Sequence, residues 1–208
     1  MIYLVDNTID GQGVSPREIG AALRALRPET PVVVERFPDV SAARVRELGP
    51  SHIILSGQSH PWTLYSEESL AGVFEVIREA EQPVLGVCGG HQQIALCYGS
   101  AVGLMKRVSP GEGYEGALRE RGFQAVEGDG GGDPIFEGLP KQLTVWQSHC
   151  DEVKGLPARF ELTASNETCR IQAMRHTSRS LFGVQFHPEL YDAEHPHGAR
   201  VLENFLGL

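Results

Sequence analysis

An α/β fold is predicted for this chain, with a doubly wound, mostly parallel central sheet, helices on both faces and a small antiparallel extension. Three observations lead there. In the first half, short β-branched runs alternate with segments of helical periodicity, as a sheet with right-handed crossovers requires. In the second half, strand-like runs follow one another through shorter connections, which suits an antiparallel region. The 208 residues are enough for one sizeable core, and no linker divides them convincingly.

The runs Ile2–Val5, Val32–Val34, Ile53–Leu55 and Val84–Val87 are bounded by turn signals and read as buried parallel strands. Between them, Ser15–Leu26 sets Ile19, Ala22, Leu23 and Leu26 on one stripe behind a Ser-Pro start, and Ser66–Ala80 repeats Leu70, Val73, Val76 and Ile77. Both read as amphipathic helices. Another helix is expected from about Gly90 to Tyr98. Val102–Val108, Phe123–Val126, Leu143–Gln147, Phe160–Ala164, Ile171–Arg175 and Leu181–Phe186 read as strands. Glu127–Asp133, rich in Gly and Asp, reads as a mobile surface loop without the spacing of a dinucleotide fingerprint. Gly198–Leu206 reads as a short closing helix.

A net charge of -9 argues against a nucleic-acid or anionic-membrane partner, which needs clustered Lys and Arg. No apolar run approaches the roughly 20 residues that span a bilayer. Met1–Asp6 lacks a basic region and cleavage site, and reads as a strand rather than a signal peptide. Cys88, Cys97, Cys150 and Cys169 show no C-x-x-C spacing. A reducing cytoplasm is the expected setting.

The chemistry is concentrated at two motifs. Pro83–Gln92 is an apolar run ending at Cys88, with Gly86 and Gly90 two residues to either side. That is the spacing of a nucleophile elbow, a strained strand-to-helix turn. Far downstream, Gly183–Glu189 is a second apolar run ending in His187 and Glu189. A free thiol ionises near pH 8.5, so a cysteine nucleophile needs an imidazole base and a helix N-terminus to favour its thiolate. Cys88 as nucleophile, His187 as base and Glu189 as the carboxylate orienting the ring supply those parts, with Glu189 expected beside His187 on a continuing strand.

Gly86-x-Cys88-x-Gly90-x-Gln92 together with His187-Pro188-Glu189 resembles the class I, or triad, glutamine amidotransferase family. Ser148-His149-Cys150-Asp151-Glu152-Val153 is similar to a segment in the glutaminase domains of GMP synthases. The resemblance implies a flavodoxin-like amidotransferase fold in a single domain over residues 1–208. It implies hydrolysis of the glutamine side-chain amide, through a cysteine thioester, to glutamate and ammonia. The oxyanion hole would come from Gly57, Gln58 and Gly89, and substrate contacts from Gln92, Ser148 and His149. The partners implied are L-glutamine and a separate ammonia-accepting synthase subunit, with no cofactor and no metal. One departure stands out: Ser56-Gly57-Gln58 replaces the family's Ser-Gly-Gly or Ser-Pro-Gly, so a left-handed backbone at position 58 would be strained.

Other readings remain open. A stand-alone hydrolase of γ-glutamyl amides, or a non-catalytic binding module, is compatible with the fold. Trp62 and Tyr65 fit either a lid or a loop anchor. Asp151 and Glu152 are candidates to meet the ends of a glutamine zwitterion. Cys97 and Cys150 read as packing residues, His195 and His197 as exposed loop histidines rather than metal ligands, and His91 as projecting away from the thiol.

Overall fold

Alternation within each buried strand decides which residues meet which layer of helices. In the computed structural model, which describes residues 1–208, Ile2 and Leu4 of β1 (Ile2–Asp6) pack against one helical layer, and Tyr3 and Val5 against the other. The first layer contains α1 (Val14–Leu26) and α5 (His197–Phe205), through Ile19, Leu23, Val201 and Phe205. The second contains α2 (Ala42–Leu48), α3 (Glu67–Glu79) and α4 (Gly89–Cys97), through Val45, Val73, Ile77 and Ile94.

With β1 pair, in parallel, β2 (Val32–Arg36) and β3 (His52–Leu55). Then β3 pairs with β4 (Val84–Val87), and β4 with β11 (Leu181–Val184), again in parallel. Beyond β11 the same sheet continues antiparallel through β10 (Ala173–His176), β9 (Phe160–Ser165), β6 (Glu120–Gly128) and β7 (Gln142–His149). The full order is β2-β1-β3-β4-β11-β10-β9-β6-β7; β5 (Val102–Leu104) and β8 (Asp151–Val153) form a separate antiparallel ladder. No helix is long and apolar enough to cross a membrane.

Several expected elements change. β2 is the sheet edge and only partly buried, with Val34 54% exposed, so its apolar run does not mark a central strand. The strand expected over Val102–Val108 stops at Leu104; the chain then enters a loop whose Val108 faces solvent. Of the loop expected over Glu127–Asp133, Glu127 and Gly128 belong to β6. Asp133 is fully buried, and its Oδ1 accepts a bond from Ile135 N at 3.1 Å to cap a single helical turn. Helix α2 was not anticipated, although both its signals are local: the Ser41 hydroxyl accepts from Arg44 N, and Gly49 ends it at φ 56°.

Candidate active site

The elbow is built by close approach. Cys88 lies between β4 and α4 with φ 49° and ψ -100°, one of two non-glycine residues with positive φ. Its N–H donates to Val184 O at 2.8 Å, tying the elbow to β11. A Cβ on Gly86 would stand 2.6 Å from His91 N, and one on Gly90 would meet the Leu55 carbonyl and lie 2.6 Å from Leu55 Cβ. Neither β4 nor β3 can yield without breaking sheet pairing. Gly90→Ala is therefore expected to cost at least about 1–3 kcal/mol, read as a lowered denaturation midpoint.

His187 enters from the neighbouring strand. β11 ends at Val184, and His187 makes one isolated bridge to Trp146, its N–H donating to Trp146 O at 2.8 Å. The expected strand continuation is absent. The chain turns here, and that turn brings Glu189 Oε1 to 2.8 Å from His187 Nδ1. Both side chains are buried, and His187 faces the cleft that Cys88 also lines. Burial alone would lower the imidazolium pKa; the Glu189 carboxylate and the Cys88 sulfur outweigh it and hold the pKa well above the ordinary histidine value.

A residue not anticipated from sequence joins this arrangement. The Ser15 hydroxyl, in the first turn of α1, donates to Glu189 Oε1 at 3.2 Å and accepts from Gly57 N at 3.0 Å. Its Ser-Pro context signals only a helix start. The same bond answers part of the oxyanion question, because it engages the Gly57 N–H. The Gln58 N–H has no acceptor within the chain, and a Cβ on Gly89 would lie against Gln58. Gln58 and Gly89 thus present adjacent backbone at the elbow. Gln58 does not have a positive φ, so the expected strain is absent.

The remaining anticipated residues divide. Gln92 is fully buried, and all four of its amide positions are filled. Oε1 accepts from Trp62 Nε1 at 2.6 Å and Gln58 Nε2 at 3.2 Å, while Nε2 donates to Gln185 Oε1 at 2.9 Å and Asp151 O at 3.1 Å. It cross-links the loop, elbow helix and β8, with no hydrogen-bonding position left over. Gln185, another residue not anticipated, also reaches Cys88 Sγ at 3.6 Å. His149 is committed too: Nδ1 to Asp151 O at 2.9 Å and Nε2 to Glu120 Oε2 at 2.8 Å. Ser148 is exposed at the cleft wall. Asp151 lines a second cleft of about 240 Å³, which meets the His187 cleft at Cys88 and Ser148, whereas Glu152 pairs with Lys154 Nζ at 2.8 Å.

Trp62 and Tyr65 act as anchors. Trp62 braces Gln92, and Tyr65 donates its hydroxyl to Asn7 O at 2.7 Å. Because the Gln58 amide is one of these braces, Gln58→Gly is expected to lower glutamine turnover by roughly two- to tenfold, the loss of one neutral hydrogen bond. A raised rate in steady-state assays would restore the strain argument. His91 is buried against Gly183, with burial pushing its pKa down to about 3. His195 stacks on Phe123, while His197 Nδ1 accepts from Thr144 N at 2.8 Å. Glu120, His149 and Cys169 bring ligand atoms within 4.8 Å of one another. Hydrogen bonds already occupy that cluster: Glu120 also accepts from Asn166 and Gln172.

The family described as "Glutamine amidotransferase class-I" matches residues 17–207. The chain is 38% identical to a subunit of the glutamine-hydrolyzing GMP synthase of Pyrococcus abyssi over 208 residues, covering 100% of this chain and 98% of the relative. It is 38% identical to the corresponding subunit of Thermococcus kodakarensis, with the same coverage. Among solved structures, a protein from Thermoplasma acidophilum described as a GMP synthase subunit superposes with TM-score 0.80 at 30% identity, covering 99% of this chain and 92% of that one. A glutamine amidotransferase from Thermotoga maritima, with TM-score 0.68 and 21% identity over 99% of this chain and 80% of that one, shares the fold. A match of that extent, over a chain whose cysteine elbow and histidine–glutamate turn open onto one cleft, places this protein in the class I glutamine amidotransferase family.

Proposed function

We propose that this chain is the glutaminase subunit of a two-component GMP synthase, releasing ammonia from glutamine for a separate subunit that consumes it. The observation that carries the reading is the Cys88 elbow opening onto the same cleft as the His187–Glu189 pair. Full-length similarity to the GMP synthase subunits of Pyrococcus abyssi and Thermococcus kodakarensis supports the choice of partner. The Cys88 thiolate attacks the amide carbon, and the N–H groups of Gly89 and Gln58 receive the developing oxyanion. His187 holds the thiol proton and returns it to the departing nitrogen. Water then cleaves the γ-glutamyl thioester, with His187 acting as base. Ser148 contacts the substrate from the cleft wall, while Gln92 and His149 shape the pocket through their fixed side chains. The four free cysteines suit a cytoplasmic setting, and residues 1–208 act as one domain.

The reading is tested by measuring glutamate release with and without the amidating subunit, alongside GMP formation from glutamine and from ammonium. Glutamine-dependent GMP formation that requires both polypeptides is expected. Efficient glutamate release that never supports amidation would favour the stand-alone hydrolase.

The raised His187 pKa also carries a pH signature. Below the unfolded-state value near 6.5, the imidazolium is present in both states and its pairing stabilises the fold fully. That contribution is lost as pH rises toward the higher folded-state value. The stability gap between wild type and Glu189→Gln is therefore expected to be wider at pH 6 than at pH 9, as read by denaturant midpoints.

A further inference from the structure

The loop between β5 and β6 reaches over the cleft and places Tyr114 on the carboxylate of Asp151, hydroxyl to Oδ2 at 2.6 Å. This is the only hydrogen bond that the Asp151 side chain makes within the chain, although Asp151 is just 6% exposed. The same loop engages a positive charge: Arg119 Nη2 donates to Tyr114 O at 3.4 Å, and Arg119, Arg121 and Asp151 line one cleft with Cys88. One tyrosine thus occupies two opposite charges of the kind that a free amino acid brings to its own recognition.

We propose that Tyr114 is a latch displaced by substrate, its hydroxyl holding the place that the α-ammonium of glutamine takes on Asp151. The proposal rests on the glutaminase reading and adds a requirement for a free α-ammonium. Burial and the neighbouring carboxylate raise the Tyr114 pKa, so the phenol keeps its proton and acts as a neutral donor. The phenol is a neutral donor to the carboxylate, whereas an ammonium adds the Coulomb attraction of a full positive charge to the same hydrogen bond, so exchange favours the substrate. Arg119 is exposed and spends one donor on the Tyr114 carbonyl, which leaves the rest of its guanidinium to meet the α-carboxylate.

The test compares L-glutamine with glutaramate, which keeps the carboxamide and carboxylate but lacks the α-ammonium. Tyr114→Phe keeps the ring and removes the competing donor, so KM for L-glutamine should fall by about two- to tenfold. Asp151→Asn should raise that KM by roughly ten- to a hundredfold and raise the KM for glutaramate by far less, because glutaramate brings no ammonium to the lost carboxylate. A higher KM in Tyr114→Phe, or equal losses for both substrates in Asp151→Asn, overturns the latch even if glutamine is hydrolysed. If wild type releases no glutamate even with the amidating subunit, the glutaminase reading itself fails. Equilibrium binding to Cys88→Ser then decides separately. A preference for L-glutamine over glutaramate that Asp151→Asn abolishes supports the latch; equal affinity, or no binding of either ligand, overturns it.

Discussion

Replacing Cys88 by alanine is expected to drop glutamate release to background, a loss of roughly 10⁴- to 10⁶-fold for removal of the proposed covalent nucleophile. The protein has three other cysteines, and their surroundings differ. Cys97 is held between Phe74 O and Arg78, each at 3.5 Å, on the far end of α4. Cys169 is fully buried, and burial pushes its thiol pKa up. Cys150 lines the cleft, yet burial raises its pKa too and no histidine base is bonded to it. Cys88 alone opens a helix, beside the free Gln58 N–H and facing the His187 cleft. Cys97→Ala should therefore retain near-wild-type rates. Labelling by glutamine-mimicking electrophiles should follow the same pattern, and residual activity in Cys88→Ala would falsify the thioester mechanism.

His187→Ala should lose about 10⁴-fold or more, since in the proposed mechanism one group serves both proton transfers. Glu189→Gln should lose less, up to about 10⁴-fold, because an amide oxygen can still accept from the ring but no longer stabilises the imidazolium. The Ser15 contact sharpens that expectation. Glu189 Oε1 is shared between His187 and the Ser15 hydroxyl, so a neutral amide there must satisfy two donors at once. Ser15→Ala should consequently weaken both the carboxylate and the Gly57 strand-end loop, giving a milder defect of the same kind. Single-turnover rates separate these effects from changes in product release. Wild-type chemistry in both His187→Ala and Glu189→Gln would remove the pair from the mechanism.

What was legible in the sequence was what is local. Glycines at fixed distances from Cys88 describe an elbow because sterics at a strand-to-helix turn act over a few residues. His187 and Glu189 lie two residues apart and meet within one turn, although the turn itself looked like a strand. Ser15 was invisible as a site residue because its partner lies 174 positions away. Gln92 was legible as important yet not in its manner: its spacing from Cys88 marks a helix face, but only the folded chain shows four bonds filling its amide. The apolar run of β2 could not disclose that it would become an edge, since strand order is a property of the whole sheet.

Strand order has one more consequence, in time rather than space. β11 lies between β4 and β10, yet it is made after every other strand of the sheet. Until it arrives, β4 ends the parallel half with an open edge, and the Cys88 N–H lacks its Val184 acceptor. A growing chain emerging from the ribosome can therefore carry its thiol long before any imidazole stands opposite. Such a late, non-local closure is slow to form and leaves the intermediate exposed to edge-to-edge association. It also means that the thiol waits for its base until the chain has been extended past Glu189.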